Sequence, residues 1–138
     1  MLIEEKINKI KEDFSFFDNW EEKYQYLIDL GKKLPDLDDA FKTEEFRIKG
    51  CNSNLWVVPK IKDGRIVFLG SSDSVIVQGL FYLVQFIYNN EKPQTILNEP
   101  LKFFNEIGLS SHLGPSRTNG FNSLKKHINQ VATELSNN

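Results

Sequence analysis

The 138-residue chain has a single cysteine, no surplus of basic residues and no long apolar run. One thiol, Cys51, excludes an internal disulfide and also excludes the structural zinc and iron–sulfur sites that need several thiolates. With 17 basic residues against 19 acidic ones, a surface built to neutralise nucleic-acid phosphates is not expected. The longest apolar stretch, residues 75–88, contains two glutamines and is too short to cross a bilayer.

The first residues, MLIEEKINKIKEDF, lack the apolar segment of a signal peptide, and their early charges are mainly acidic. We therefore expect no signal peptide and no membrane association, and a cytoplasmic location by default. A lone cysteine agrees with a reducing compartment.

The patterning that is present predicts one α+β domain over residues 1–138. Two amphipathic helices open the chain, and Asp18 is the expected N-cap of the second, which ends at Gly31. Alternating segments at 46–49, 55–58 and 66–69 predict a three-stranded antiparallel sheet, with a hairpin turn at Asp63-Gly64. Helices resume at Ser72-Asp73, and we expect them to pack on one face of the sheet.

Those later helices are predicted from apolar spacing and from Pro93. They span about 72–89, a short segment after Pro93, about 100–107, and about Asn119 to Leu135. The longest polar connection among them is predicted at residues 108–118. It contains His112 and Arg117, and functional residues are frequent in such loops.

Cys51 lies among small polar residues, in the segment Gly50-Cys51-Asn52-Ser53-Asn54. Most free cysteines are small buried hydrophobes, but these neighbours also fit a functional thiol. A metal site formed with His112 and His127 has no supporting ligand spacing. A hydrolase that pairs Cys51 with His112 lacks a recognisable nucleophile motif.

A role as a sulfur carrier would explain why the chain has only one cysteine. A carrier holds a persulfide, Cys–S–SH, and a second nearby thiol would attack it, close a disulfide and release sulfide. Having no other cysteine protects the outer sulfur for delivery.

Four ordered segments resemble the SufE family of sulfur-acceptor proteins: NWEEKYQYLIDLGKKLP, IKGCNSNLWVV, GSSDSVIVQGL and HLGPSRTNGF. The resemblance implies that Cys51 accepts persulfide sulfur from a cysteine desulfurase of the SufS type, stimulates that enzyme, and passes the sulfur to a SufB-type scaffold. It also implies no cofactor or metal of its own, and a fold like that of cluster scaffold proteins without their three cysteine ligands. Such a protein is a sulfur acceptor rather than a stand-alone enzyme.

The resemblance also places Asp73, Arg117 and His112 near the thiol, as partner-binding or loop-positioning residues. From the sequence alone, a helix cap is the favoured role of Asp73, and Arg117 could simply form a surface ion pair. The family's G-C-Q-S-Q is here changed at Asn52 and Asn54, and its G-D-S-D-A is changed at Ser71, which bears on partner choice. The alternative function is a regulator that docks on the desulfurase without carrying sulfur.

Overall fold

Two helices open the chain, a two-stranded hairpin follows, and helices form the remainder. The structure is a computed structural model that describes residues 2–137. Its elements, in chain order, are α1 (Ile3–Ser15), α2 (Trp20–Gly31), a 3₁₀ turn (Asp39–Phe41), β1 (Leu55–Lys62), β2 (Arg65–Ser72), α3 (Val75–Tyr88), α4 (Pro93–Leu97), α5 (Phe103–Glu106), α6 (Leu109–His112) and α7 (Pro115–Ser136). The predicted α+β class is confirmed.

The sheet has two strands in the described residues, so the predicted third strand is wrong. The segment 46–49 makes a single bridge, in which Arg47 lies opposite Trp56. The amide of Arg47 bonds to the carbonyl of Thr43 in a tight turn, so the chain reaches the sheet only at residue 46. Gly50, at φ +85°, then turns it away. Too few residues remain between these two turns to extend the ladder.

The hairpin turn at Asp63-Gly64 is confirmed. Both residues have positive φ, 54° and 76°, and Lys62 pairs with Arg65 across the turn. Positive φ at both central positions is the geometry that matches the twist of two antiparallel strands. The register it sets pairs Leu55 with Ser72, which brings the start of β1 beside the end of β2.

Two helix starts differ from the prediction by one or two residues. Asn19, not Asp18, caps α2, because its side chain accepts a hydrogen bond from the amide of Glu22 at 2.9 Å. Ser74, not Asp73, caps α3, and its hydroxyl accepts from the amide of Val77 at 3.3 Å. β2 continues to Ser72, which leaves too little chain for an earlier start of α3.

The core is built around α3, a helix buried on most of its surface. It packs against α2 on one side and β2 on the other. The approach to α2 is close: a Cβ added to Gly31 would lie 2.8 Å from the amide nitrogen of Gly79. The buried side chains of α7, including Phe121 and Leu124, join the same core. The start of α3 and the start of α7 are thereby held against one framework.

Candidate functional site: the Cys51 loop

The Cys51 loop, residues 49–54, leaves and re-enters the fold at adjacent points. The amide of Ile48 donates to the carbonyl of Leu55 at 2.8 Å, and the amide of Val57 donates to the carbonyl of Phe46 at 2.9 Å. These two bonds clamp the base of the loop to the start of β1. Cys51 is half-buried on it.

One side of the Cys51 loop is fixed to the face of α7 formed by Ser116, Gly120 and Ser123. Asn52 donates through Nδ2 to the hydroxyl of Ser116 at 2.7 Å, and Ser123 donates through Oγ to the carbonyl of Gly50 at 3.3 Å. Because these three helix positions are four and three residues apart, they share one face. The loop therefore lies along the first turns of the last helix.

The loop approaches α7 so closely that two glycines are needed. A Cβ on Gly120 would lie 3.1 Å from Sγ of Cys51, a separation that forces the neighbour to move. A Cβ on Gly50 would lie 2.5 Å from Oγ of Ser123, and the φ of +85° at Gly50 also favours glycine. Gly120 thus forms the floor beneath the sulfur.

The other side of the loop is fixed to the turn between β2 and α3. The Asp73 carboxylate accepts from the backbone amide and from Nδ2 of Asn54, both at 3.0 Å. The carbonyl of Asn54 in turn accepts from the amide of Asp73 at 3.2 Å and from the hydroxyl of Ser72 at 2.7 Å. The helix cap predicted at Asp73 is wrong, since Ser74 caps α3 and leaves this carboxylate to bond the Cys51 loop. The shortened side-chain amide of Asn54 makes one of these bonds, through Nδ2.

Arg117 lies on the first turn of α7, not in a loop as its polar surroundings predicted. Gly114 at φ +87° and Pro115 start this helix, because proline's fixed φ suits a first helical position. Arg117 is exposed, and no ion pair or hydrogen bond of its guanidinium is found within residues 2–137. It follows Ser116, which anchors the Cys51 loop, although neighbouring residues on a helix do not share a face.

His112 lies at the end of α6, and its ring stacks on Trp20 with centroids 3.9 Å apart. Its Nδ1 is 2.9 Å from the carbonyl of Gly108, and its own carbonyl accepts from the hydroxyl of Tyr24. These contacts tie α6 to α2. Among the described residues, the hydrogen bonds and ring contacts of His112 do not involve the Cys51 loop.

Arg47, at the base of the loop, was missed by the sequence analysis. Its guanidinium donates to both carboxylate oxygens of Glu44, at 2.8 and 3.0 Å. Hydrogen bonding to Glu44 raises the pKa of Arg47, and the negative charge of an ionised Cys51 raises it slightly further. The same hydrogen bond lowers the pKa of Glu44. Arg47 and Glu44 thus form an ion pair at the base of the Cys51 loop.

Ser116, Gly120 and Ser123 were also missed, although their spacing was visible in the sequence. The prediction began the last helix at Asn119, which removed Ser116 from the helix face. Within the described chain, no three histidine, cysteine or acidic side chains are grouped so that they could hold a metal ion. The metal site considered for Cys51, His112 and His127 is thus not assembled.

Comparison with known proteins decides the family. A family model described as "SufE: Fe-S metabolism associated domain" matches residues 8–132. The chain belongs to the SufE family. The family is associated with iron–sulfur metabolism, so this protein is placed in that process.

A curated relative and a solved structure agree with this membership. The chain is 36% identical over 131 residues to an uncharacterised SufE-like protein of Rhizobium meliloti (strain 1021), which covers 91% of this chain and 94% of that one. The solution structure of a hypothetical protein from Thermus thermophilus matches with a TM-score of 0.79 at 18% identity, over 96% of this chain and 97% of the other. That likeness shows a shared fold. Over residues 2–137, no helix is long and apolar enough to span a membrane.

Proposed function

We propose that this SufE-family protein accepts sulfur on Cys51 from a cysteine desulfurase of the SufS type and stimulates that enzyme. The observation that supports this most is the setting of Cys51. The only thiol of the chain is half-buried on a loop that is hydrogen-bonded on one side to α7 and on the other to Asp73. A buried structural cysteine would need neither the glycine floor nor the two anchors.

The proposed reaction has two steps, and each exchanges one sulfur–sulfur bond. The Cys51 thiolate attacks the outer sulfur of the desulfurase persulfide, so the new S–S bond forms as the old one breaks and the desulfurase cysteine leaves as a thiolate. Cys51–S–SH then gives its outer sulfur to a thiolate of a SufB-type scaffold, and Cys51 is regenerated. Neither step needs a cofactor on this chain, and we place both in the cytoplasm.

The remaining predicted site residues have proposed roles around this exchange. Asp73 positions the Cys51 loop through Asn54. Arg117, exposed on α7 beside the loop, offers five fixed donors to a docked partner. His112 has the least direct role, because it stabilises the α2–α6 contact by stacking on Trp20.

Replacement of the sulfur tests the proposal against the alternative of a regulator that does not carry sulfur. We expect Cys51→Ser to fold normally, because serine is nearly isosteric, and to lose stimulation of the desulfurase. The measurement is sulfide or alanine production by the desulfurase with and without added protein. Ser53→Ala, which alters the same loop but keeps the thiol, is the control. Full stimulation by Cys51→Ser would favour the regulator.

A further inference from the structure

A groove of about 550 Å³ lies between residues 44–49 and the face of α7 that continues past the Cys51 loop. Ser123 is part of its wall and also donates to the carbonyl of Gly50. The groove therefore adjoins the first residues of the Cys51 loop, Lys49 and Gly50. Its volume falls within the range of sites that bind small molecules, about 300–1,000 Å³.

The groove contains charged groups of both signs. Lys49, Lys126 and Glu45 are exposed there, and none of the three belongs to an ion pair in the described part of the chain. The guanidinium of Arg47 is already bound to Glu44. Two ammonium groups and one carboxylate thus remain available, which suits a ligand with its own carboxylate and ammonium better than a polyanion.

Cys51 is within reach of a ligand in this groove. Its sulfur lies over Gly120, three residues before Ser123 on the same helix face. Three residues of α-helix correspond to a rise of about 4.5 Å. A persulfide extends the side chain by a further sulfur, at a bond length of about 2.05 Å. The outer sulfur of the persulfide can therefore contact the thiol of a ligand whose charged groups are bound about one turn further along α7.

From this geometry we infer that the groove is a binding site for a small zwitterionic thiol, an amino-acid or short-peptide thiol that accepts sulfur from Cys51. The carboxylate binds Lys49 and Lys126, and the ammonium binds Glu45. This inference rests on the proposed function, because it names a second class of sulfur recipient. The ligand thiolate attacks the outer sulfur of Cys51–S–SH, the S–S bond to Cys51 breaks, and Cys51 leaves as a thiolate while the ligand becomes R–S–SH.

A charged groove makes this release selective. The half-buried position of Cys51 limits the directions from which a small thiol can approach. A neutral thiol gains nothing from the lysines, whereas a zwitterionic thiol is concentrated in the groove next to the Cys51 loop. The persulfide is therefore sheltered from thiols in general and open to one class.

Disulfide exchange with unmodified protein tests the groove without a desulfurase. The Cys51 thiolate attacks glutathione disulfide, which gives a mixed disulfide and glutathione thiolate. The rate constant of this reaction, followed by intact mass, is compared with the rate constant for the neutral bis(2-hydroxyethyl) disulfide. The ratio of the rate constant with glutathione disulfide to that with the neutral disulfide is then divided by the same ratio measured for a neutral free thiol, N-acetylcysteine amide. This normalisation removes the intrinsic difference in reactivity between the two disulfides. We expect the normalised ratio to exceed one, and to fall roughly two- to tenfold in Lys49→Gln/Lys126→Gln, since exposed ion pairs are weak individually.

The matched control is Lys92→Gln/Lys102→Gln, which removes the same charge from exposed lysines outside the groove. We expect it to keep the wild-type ratio. A wild-type ratio of one, or an equal fall in both double variants, would overturn the inference. Because exchange uses the thiol and not the persulfide, a protein that shows groove selectivity but gains no sulfur from a desulfurase would contradict the proposed function alone.

Discussion

The half-buried sulfur of Cys51 depends on neighbours that contact it or hold its loop, and the contacts of each can be identified. Gly120 lies beneath the sulfur, Ser116 and Ser123 bond the loop from α7, and Asp73 bonds it through Asn54. The loop is thus anchored on two sides, to α7 and to Asp73, and both anchors use short polar side chains. A change at either anchor is therefore expected to alter the thiol's accessibility before it alters the fold.

Asp73 and Ser74 are adjacent residues whose contacts predict different effects. Asp73→Ala removes two hydrogen bonds to Asn54, and Ser74→Ala removes the cap of α3. We expect each to lower the free energy of unfolding by about 1–2 kcal/mol. Only Asp73→Ala should speed alkylation of Cys51 by iodoacetamide, because only it releases the loop. Equal alkylation rates in the two variants would show that Asp73 does not position the loop.

Arg117 is predicted to act on a partner and not on stability. Since its guanidinium is exposed and unpaired in the described structure, Arg117→Ala should change the free energy of unfolding by at most about 1 kcal/mol. Persulfide formation on Cys51 should require more desulfurase, and Arg117→Lys should restore it only partly, because lysine lacks the planar fork. Lys102→Ala, another exposed cation, is the control. Wild-type transfer by Arg117→Ala would remove this residue from the site.

At the scale of elements, regular periodicity and the end of α2 at Gly31 could be predicted, whereas helix starts and the extent of the third strand could not. The helices α1 and α2, the hairpin turn and the core stripe of α7 follow from spacings of 3.6 and 2 and from Asp63-Gly64. The third strand failed because a strand needs a partner over several residues, and the Thr43 turn and Gly50 leave it one bridge. Alternation over four residues carries no information about those two turns.

The start of α7 determined how much of the site could be predicted. Cys51 was identified as the only thiol and Asp73 by the family resemblance, whereas the floor at Gly120 and the anchors at Ser116 and Ser123 depend on where the helix begins. The prediction took Pro115 as part of a loop, although proline fits the first turn of a helix. Arg47 was missed because its place at the base of the Cys51 loop depends on the bridge to Trp56, a tertiary contact.

The close contact between α7 and the Cys51 loop gives a prediction at this scale. Gly120→Ala places a Cβ where Sγ must move by a few tenths of an ångström. Alanine favours the helix by roughly 0.5–1 kcal/mol, so the free energy of unfolding should change little. Alkylation of Cys51 should become faster as the sulfur is pushed outward. Asn122→Ala, on an exposed position of the same helix, should leave the rate unchanged; a similar rate for Gly120→Ala would contradict the glycine floor.

At the scale of the whole molecule, His127 on α7 makes stability depend on pH. Burial lowers its pKa below the ordinary value of 6.5, and the charge of Glu134 opposes this only in part. Between the lowered pKa and 6.5 the unfolded chain binds more protons than the folded one, so stability falls as the pH drops through that window. The loss is complete below the folded-state pKa.

The glutamine variant isolates this contribution. We expect the denaturant midpoint of His127→Gln to fall less than that of the wild type on acidification from pH 7.5 to below the lowered pKa. Above pH 7.5 the difference between the two proteins should be constant, because His127 is neutral in both states there. Parallel curves over the whole range would show that the burial of His127 does not control the acid response.

The event that we propose, transfer of sulfur to Cys51, rests on the fold, the single thiol and the family membership. The framework of α3 and α7 fixes the loop, and the absence of a second cysteine preserves what the loop receives. A protein that only docks and regulates would use the same surface without a covalent change. The two functions therefore differ in the mass of the protein after it has met a desulfurase.

The direct measurement is the intact mass of the protein after incubation with a SufS-type desulfurase and cysteine, without reductant. Sulfur transfer predicts a gain of one sulfur atom, located on Cys51 by peptide mapping, and no gain in Cys51→Ser. A desulfurase that is stimulated while Cys51 remains unmodified would contradict it.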